Sequence, residues 1–115
     1  MKELSIIIPV YNVQKYLEDC LLSIYKQSLS LETFEVITVN DGSTDRSLDI
    51  LRKYGKIYPN LIIVSQENKG QSAARNNGLA VASGKYIFLW IPMIFFVWIH
   101  CPLFCQRRWN MIWMF

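Results

Sequence analysis

The amino-acid sequence predicts an α/β domain of the doubly wound type, a mainly parallel sheet with flanking helices. Two observations carry this. Short apolar runs of strand length alternate with stretches whose apolar residues recur every three or four positions, and the polar, turn-forming clusters fall just after the strands. A chain of 115 residues can bury one hydrophobic core and not two.

Leu4 to Val10 opens the pattern as a run dominated by Ile6, Ile7, Ile8 and Val10. Such a run suits a strand covered on both faces, as parallel strands are. Pro9, Tyr11 and Asn12 mark its end. From Val13 to Ser28 the residues Val13, Tyr16, Leu17, Cys20, Leu21, Ile24 and Tyr25 fall on one helical face. Phe34 to Val39 is the second strand, and the turn-rich Asn40-Asp41-Gly42-Ser43-Thr44-Asp45 follows, with Asp45 as the candidate cap of the next helix. That helix carries Leu48, Ile50, Leu51 and Tyr54 and is expected to stop near Gly55. Leu61 to Val64 is the third strand, Asn68-Lys69-Gly70 a loop, Gln71 to Ala82 a small-residue helix closed by Ser83-Gly84, and Tyr86 to Leu89 the start of a fourth strand.

Composition sets outer bounds. The net charge of +3 is too small to argue for a nucleic-acid partner. Cys20, Cys101 and Cys105 show no zinc-type spacing, and Cys20 reads as a small buried hydrophobe. Residues 2–10 run straight into a strand and lack the apolar core of a secretory signal, so a reducing, cytoplasmic setting is expected. The two ends differ, however: every Asp and Glu lies between Glu3 and Glu67, and all four Trp lie between Trp90 and Trp113.

In doubly wound sheets ligands bind beyond the carboxyl ends of the strands, where the strand order reverses. Tyr11-Asn12, Asp41 to Asp45 and Glu67 to Gly70 all fall there. The Asp41 carboxylate is able to accept hydrogen bonds from a uracil imide or a ribose hydroxyl, with Gly42 letting a ligand approach the backbone; a turn and a helix cap account for the same spacing. Lys69 and Arg75 flank Gly70 at a helix start, which places two cations and free backbone N–H groups where a diphosphate would sit. Solvated surface charges account for them equally well.

The order of the segments decides between these readings. Ser5-Ile-Ile-Ile-Pro-Val-Tyr-Asn12, Val39-Asn-Asp-Gly-Ser-Thr-Asp45, Asn68-Lys-Gly-Gln-Ser-Ala-Ala-Arg-Asn-Asn-Gly78 and Gly84-Lys-Tyr-Ile87 together resemble family 2 glycosyltransferases over residues 4 to 88. The resemblance implies a GT-A, Rossmann-like fold, here incomplete, and a nucleotide-sugar donor, often a UDP-sugar. It also implies a divalent metal, magnesium or manganese, on an acidic D-x-D motif. By matching motif, Pro9, Tyr11 and Asp41 would line the nucleoside pocket, and Asn68, Lys69, Gly70 and Arg75 would border the donor. The acceptor would be a carbohydrate or glycolipid, the latter met at the inner face of a membrane by peripheral association. Inverting members also use a downstream carboxylate base, for which this chain offers no candidate.

The sequence departs from the family after Phe88. Where the metal-binding aspartates belong, Leu89-Trp-Ile-Pro-Met-Ile94 has no acidic residue, and the tail to Phe115 supplies none. Trp and Met have single codons, so the shifted reading of Trp90 to Ile94 is Asp-[Ser/Pro/Thr]-[Asp/Asn/His/Tyr]-Asp, preceded by Val, Leu or Met. That accommodates the missing motif in its expected place. Residues 1–88 are therefore expected to be the nucleotide-sugar-binding part and residues 89–115 an apolar, out-of-frame tail, leaving a chain that does not catalyse transfer. The alternatives are an inert nucleotide-binding module, or a membrane-tethered interaction protein, since Tyr86 to Cys105 is almost wholly apolar and is followed by Arg107 and Arg108.

Overall fold

The computed structural model describes residues 2–26, 30–90 and 96–100. In chain order the elements are β1 (Leu4–Val10), α1 (Gln14–Tyr25), β2 (Phe34–Asp41), α2 (Ser47–Ile57), β3 (Leu61–Gln66), α3 (Gln71–Val81), β4 (Tyr86–Trp90) and β5 (Phe96–His100). The sheet order is β3-β2-β1-β4-β5. The first four strands are parallel neighbours, and the backbone of β5 pairs antiparallel to β4. The chain thus winds outward from β1 to β3 and then returns to the other side of β1, putting the switch in strand order between β1 and β4.

Alternation along the strands builds two cores. Ile6, Ile8 and Val10 of β1 and Val36 of β2 pack with Leu17, Cys20, Leu21 and Ile24 of α1 and with Leu51 and Tyr54 of α2. Ile7, Ile37 and Val39 face the other way, joining Ala74 of α3 and Ile87 and Leu89 of β4. With helices on both sides, β1 and β2 lie in the middle of the sandwich, and their residues are almost all buried. Continuous apolar strands follow from that burial.

A polar clasp fixes β4 at the amino-terminal edge. The buried Glu35 accepts through one carboxylate oxygen from the Ser5 hydroxyl (2.6 Å), the Ser83 N–H (2.8 Å) and the Ser83 hydroxyl (3.1 Å), while Ser5 Oγ accepts from the Gly84 N–H at 2.8 Å. Gly84 lies so close to β1 that a Cβ would sit 2.6 Å from the Ser5 nitrogen. The small-residue turn Ser83-Gly84 is thereby explained as a register lock between β1, β2 and β4.

Several boundaries differ from expectation. β2 and β3 each run two residues further, because Asn40 pairs with Ser65 and Asp41 with Gln66, which makes Asp41 the last residue of a strand and not a loop residue. Helix α2 continues past Gly55 to Ile57. There the helix presses on β3, with a Cβ at Gly55 only 3.3 Å from Ile63 Cδ1, so tertiary packing overrides the weak helix propensity of glycine. Helix α1 begins at Gln14, with Val13 before it, and residues 27–29 lie outside the described residues. Strand β4 reaches Trp90. Residues 91–95 and 101–115, over which the shifted-frame and membrane-segment expectations extend, lie outside the described residues. Among the described residues no helix is long and apolar enough to cross a membrane.

Candidate functional site

Three strand ends meet at the carboxyl edge of the sheet. On β1 they bring the buried Pro9, followed by Tyr11, which is 44% exposed; on β2 the buried Asp41; on β3 Gln66, followed by the exposed Asn68, Lys69 and Gly70. Tyr11 thus stands exposed just after β1, beside the switch in strand order between β1 and β4.

Asn12 stitches the first two loops together. It adopts φ +50°, the left-handed region that Asn tolerates better than other side chains bearing a Cβ. Its side-chain oxygen accepts from the N–H groups of Thr44 (2.7 Å) and Asp45 (3.3 Å), while its own N–H donates to Ser43 Oγ at 3.1 Å. Asp45, the expected cap, stands one residue before the observed cap position, which Arg46 holds without a side-chain cap bond. Its carboxylate accepts from the Ser47 N–H at 2.8 Å and from the Gln14 N–H at 3.2 Å, so one aspartate serves the starts of both α2 and α1. Burial acts to raise the Asp45 pKa, but the bonds from Ser47 and the backbone outweigh it and hold the carboxyl below its ordinary value.

Asp41 organises the second half of the site. One carboxylate oxygen accepts from Gln66 Nε2 and from the Lys69 N–H, both at 2.7 Å, and the other accepts from the Gly70 N–H at 3.0 Å. Burial pushes its pKa up, yet the three donors together win and hold the carboxyl below the usual aspartate value. Gly42, at φ +72°, passes so near the next loop that a Cβ would lie 3.0 Å from the Asn68 nitrogen. The glycine after Asp41 is required for the close approach of the two loops.

At the start of α3 the N–H groups of Lys69 and Gly70 are committed to Asp41. The donors that helix geometry leaves without an intrahelical partner are those of Gln71, Ser72 and Ala73 in the first turn of α3. Arg75, one turn further, is half-buried; burial lowers its pKa from the ordinary value, and Nη2 donates to Ser72 Oγ at 3.2 Å. Lys69 is exposed on the same rim. Sequence reading missed Asn12, Gln66 and Asn77 as organising residues. For Asn12 the signal was available, an Asn in the turn just after a strand; for Gln66 it lay in the strand register, and for Asn77 in the packing of α3 beside β3, which only the fold supplies.

The metal that the family resemblance implies does not fit the described residues. No group of three His, Cys, Asp or Glu lies together among them, both Asp41 oxygens and both Asp45 oxygens already accept hydrogen bonds, and no acidic residue follows Glu67 in the sequence.

Comparison with known proteins agrees with this geometry. The family model "Glycosyl transferase family 2" matches residues 5–90. A poly(ribitol-phosphate) beta-glucosyltransferase of Bacillus spizizenii is 41% identical over 87 residues, which is 74% of this chain and 14% of that protein. The S. aureus TarS structure in complex with UDP-GlcNAc superposes with a TM-score of 0.74 at 35% identity, covering 78% of this chain and 26% of that one. A mannosyltransferase from Pyrobaculum calidifontis, in complex with GDP-Man and Mn2+, superposes with a TM-score of 0.73 at 28% identity, covering 78% and 27%. The chain thus spans a small fraction of these relatives' length. Its strand order, its motifs in sequence and a family match over three quarters of its residues together establish that this chain belongs to glycosyl transferase family 2.

Proposed function

We propose that this chain supplies the donor-binding front of an enzyme that transfers a sugar from a nucleotide sugar, a UDP-sugar in the first instance, to a saccharide or glycolipid acceptor in polysaccharide or glycoconjugate synthesis. One observation carries the reading: a buried aspartate at the end of β2, held as an acceptor by three donors, beside the exposed Tyr11 ring at the switch point. Pro9, Tyr11 and Asp41 would hold the nucleoside, and Asn68, Lys69, Gly70 and Arg75 would border the phosphates and sugar. The UDP-GlcNAc bound by TarS and the GDP-Man bound by the Pyrobaculum enzyme support a nucleoside-diphosphate donor.

The 115-residue chain by itself binds donor without turning it over, because neither a metal-binding carboxylate nor a downstream base follows Glu67. The shifted-frame reading of residues 89–115 accounts for that gap, and sequencing the coding DNA across Phe88 to Ile94 tests it: a shifted frame that meets a stop within a few codons would remove it. For the function itself, the purified chain is titrated with UDP by calorimetry and assayed with a panel of nucleotide sugars for released nucleoside diphosphate. UDP binding with no release is expected. Absence of UDP binding would overturn the donor-site reading, and release above the buffer blank would overturn the account of the missing groups.

A further inference from the structure

We infer that Gln66, anchored by Asn77, is a positioning residue for Asp41 that fixes this carboxylate's free acceptor and so selects nucleobases whose ring nitrogen carries a hydrogen. The inference rests on the donor-site reading above and deepens it. Asp41 and Gln66 are the last register partners of β2 and β3, so their side chains leave the sheet on the same face. The Gln66 amide is used at both ends. Asn77 Nδ2, on α3, donates to Gln66 Oε1, and Gln66 Nε2 donates to Asp41 Oδ1 at 2.7 Å. With its oxygen engaged by Asn77, the amide presents its N–H to Asp41; reversing it would set oxygen against carboxylate and NH2 against NH2 at once.

The consequence follows from counting lone pairs. A carboxylate offers about four acceptor positions. Gln66 and Lys69 take two on Oδ1 and Gly70 takes one on Oδ2, so one position on Oδ2 remains. A uracil N3–H or a guanine N1–H satisfies that acceptor. Cytosine and adenine bring a bare ring nitrogen to the same place, and lone pair then faces lone pair. Losing Gln66 leaves the carboxylate held by the Lys69 and Gly70 N–H groups alone and frees a position on Oδ1, to which the exocyclic amino group of cytosine or adenine is able to donate, and this relaxes the choice.

The test measures affinity of the 115-residue chain for UDP, CDP and inorganic pyrophosphate in the wild type, in Gln66→Leu and in Asn77→Ala. The wild type is expected to favour UDP over CDP by about tenfold or more, the scale of one hydrogen bond made or denied. In Gln66→Leu the ratio is expected to fall to about threefold or less, with pyrophosphate affinity unchanged, and Asn77→Ala, an exposed change that leaves the strands intact, is expected to lie between. A residue that only supported the β3 end would weaken all three ligands alike and leave the ratio standing; that result overturns the inference, as does a wild type that binds UDP and CDP equally. A wild type that binds no UDP overturns the donor-site reading itself and this inference with it. Should Gln66→Leu not fold, an Asn77→Ala ratio equal to that of the wild type decides against the inference.

Discussion

Replacing Asp41 by Asn separates the carboxylate's charge from its shape. At neutral pH the native side chain accepts three hydrogen bonds as an anion, one from Gln66 and two from the Lys69 and Gly70 backbone. Hydrogen bonds to a charged group are worth about 1.5–3 kcal/mol against about 0.5–1.5 for neutral pairs, so the bonds from Gln66 and Lys69 each weaken by roughly 1 kcal/mol. Asn also turns an NH2 toward the Gly70 N–H, and that bond is lost outright. Lys69 and Gly70 lie at the surface, where water replaces part of what they lose, which brings the expected cost to about 2–4 kcal/mol. The pH dependence gives the sharper test. Asp41's folded pKa is depressed, so its contribution is fully present above the unfolded value of about 3.9 and is lost as pH falls through the folded pKa. Asp45 is depressed too, but it titrates in both proteins alike. Urea unfolding followed by circular dichroism should therefore show a gap between wild type and Asp41→Asn that is constant from pH 7 to 5 and narrows below about pH 4. A gap that persists unchanged at pH 3, or one under about 0.5 kcal/mol at pH 7, would refute the hydrogen-bond account of Asp41.

Gly78→Ala should destabilise the fold by about 1–3 kcal/mol despite alanine's better helix propensity, since its Cβ would lie 2.5 Å from Ile7 Cγ2 and 3.3 Å from Val39 Cγ2; a neutral or stabilising change in urea midpoint would contradict this packing of α3. Glu35→Leu leaves the Ser5 hydroxyl and the Ser83 N–H without their acceptor and should cost about 2–4 kcal/mol, with Glu35→Gln costing distinctly less because it keeps an acceptor; equal losses in the two variants would show that charge, not hydrogen bonding, holds the clasp. Burial pushes the Cys20 thiol up to about 12, so at pH 8 a thiol reagent should modify it only as fast as the chain unfolds, as read by peptide mass mapping; rapid modification in the folded chain would place Cys20 outside the core.

The strands and helices could be read from the sequence because burial writes itself into residue spacing. Ile6 to Ile8 is apolar at every position since α1 and α2 cover one face of β1 and α3 the other. What the sequence concealed was polar and non-local. Asp41 reads as a turn residue beside Gly42, and only the Asp41–Gln66 register shows it to be a strand end with its carboxylate turned to the Lys69-Gly70 loop. Gly55 reads as a stop, because nothing local reveals that β3 lies against it. Glu35, an acid within an apolar strand, joins partners 30 and 48 residues away, beyond the reach of any periodicity.

The direct test of a donor site at the switch point is an amide-resolved titration of the 15N-labelled chain with UDP. The predicted result is a set of saturable shifts at Val10, Tyr11, Asp41, Gly42, Lys69 and Gly70, around the carboxyl ends of β1 and β2, with Glu35 and Gly84 at the opposite edge unmoved. Shifts gathered at Glu35, Ser83 and Gly84 instead, or none up to millimolar UDP, would contradict it.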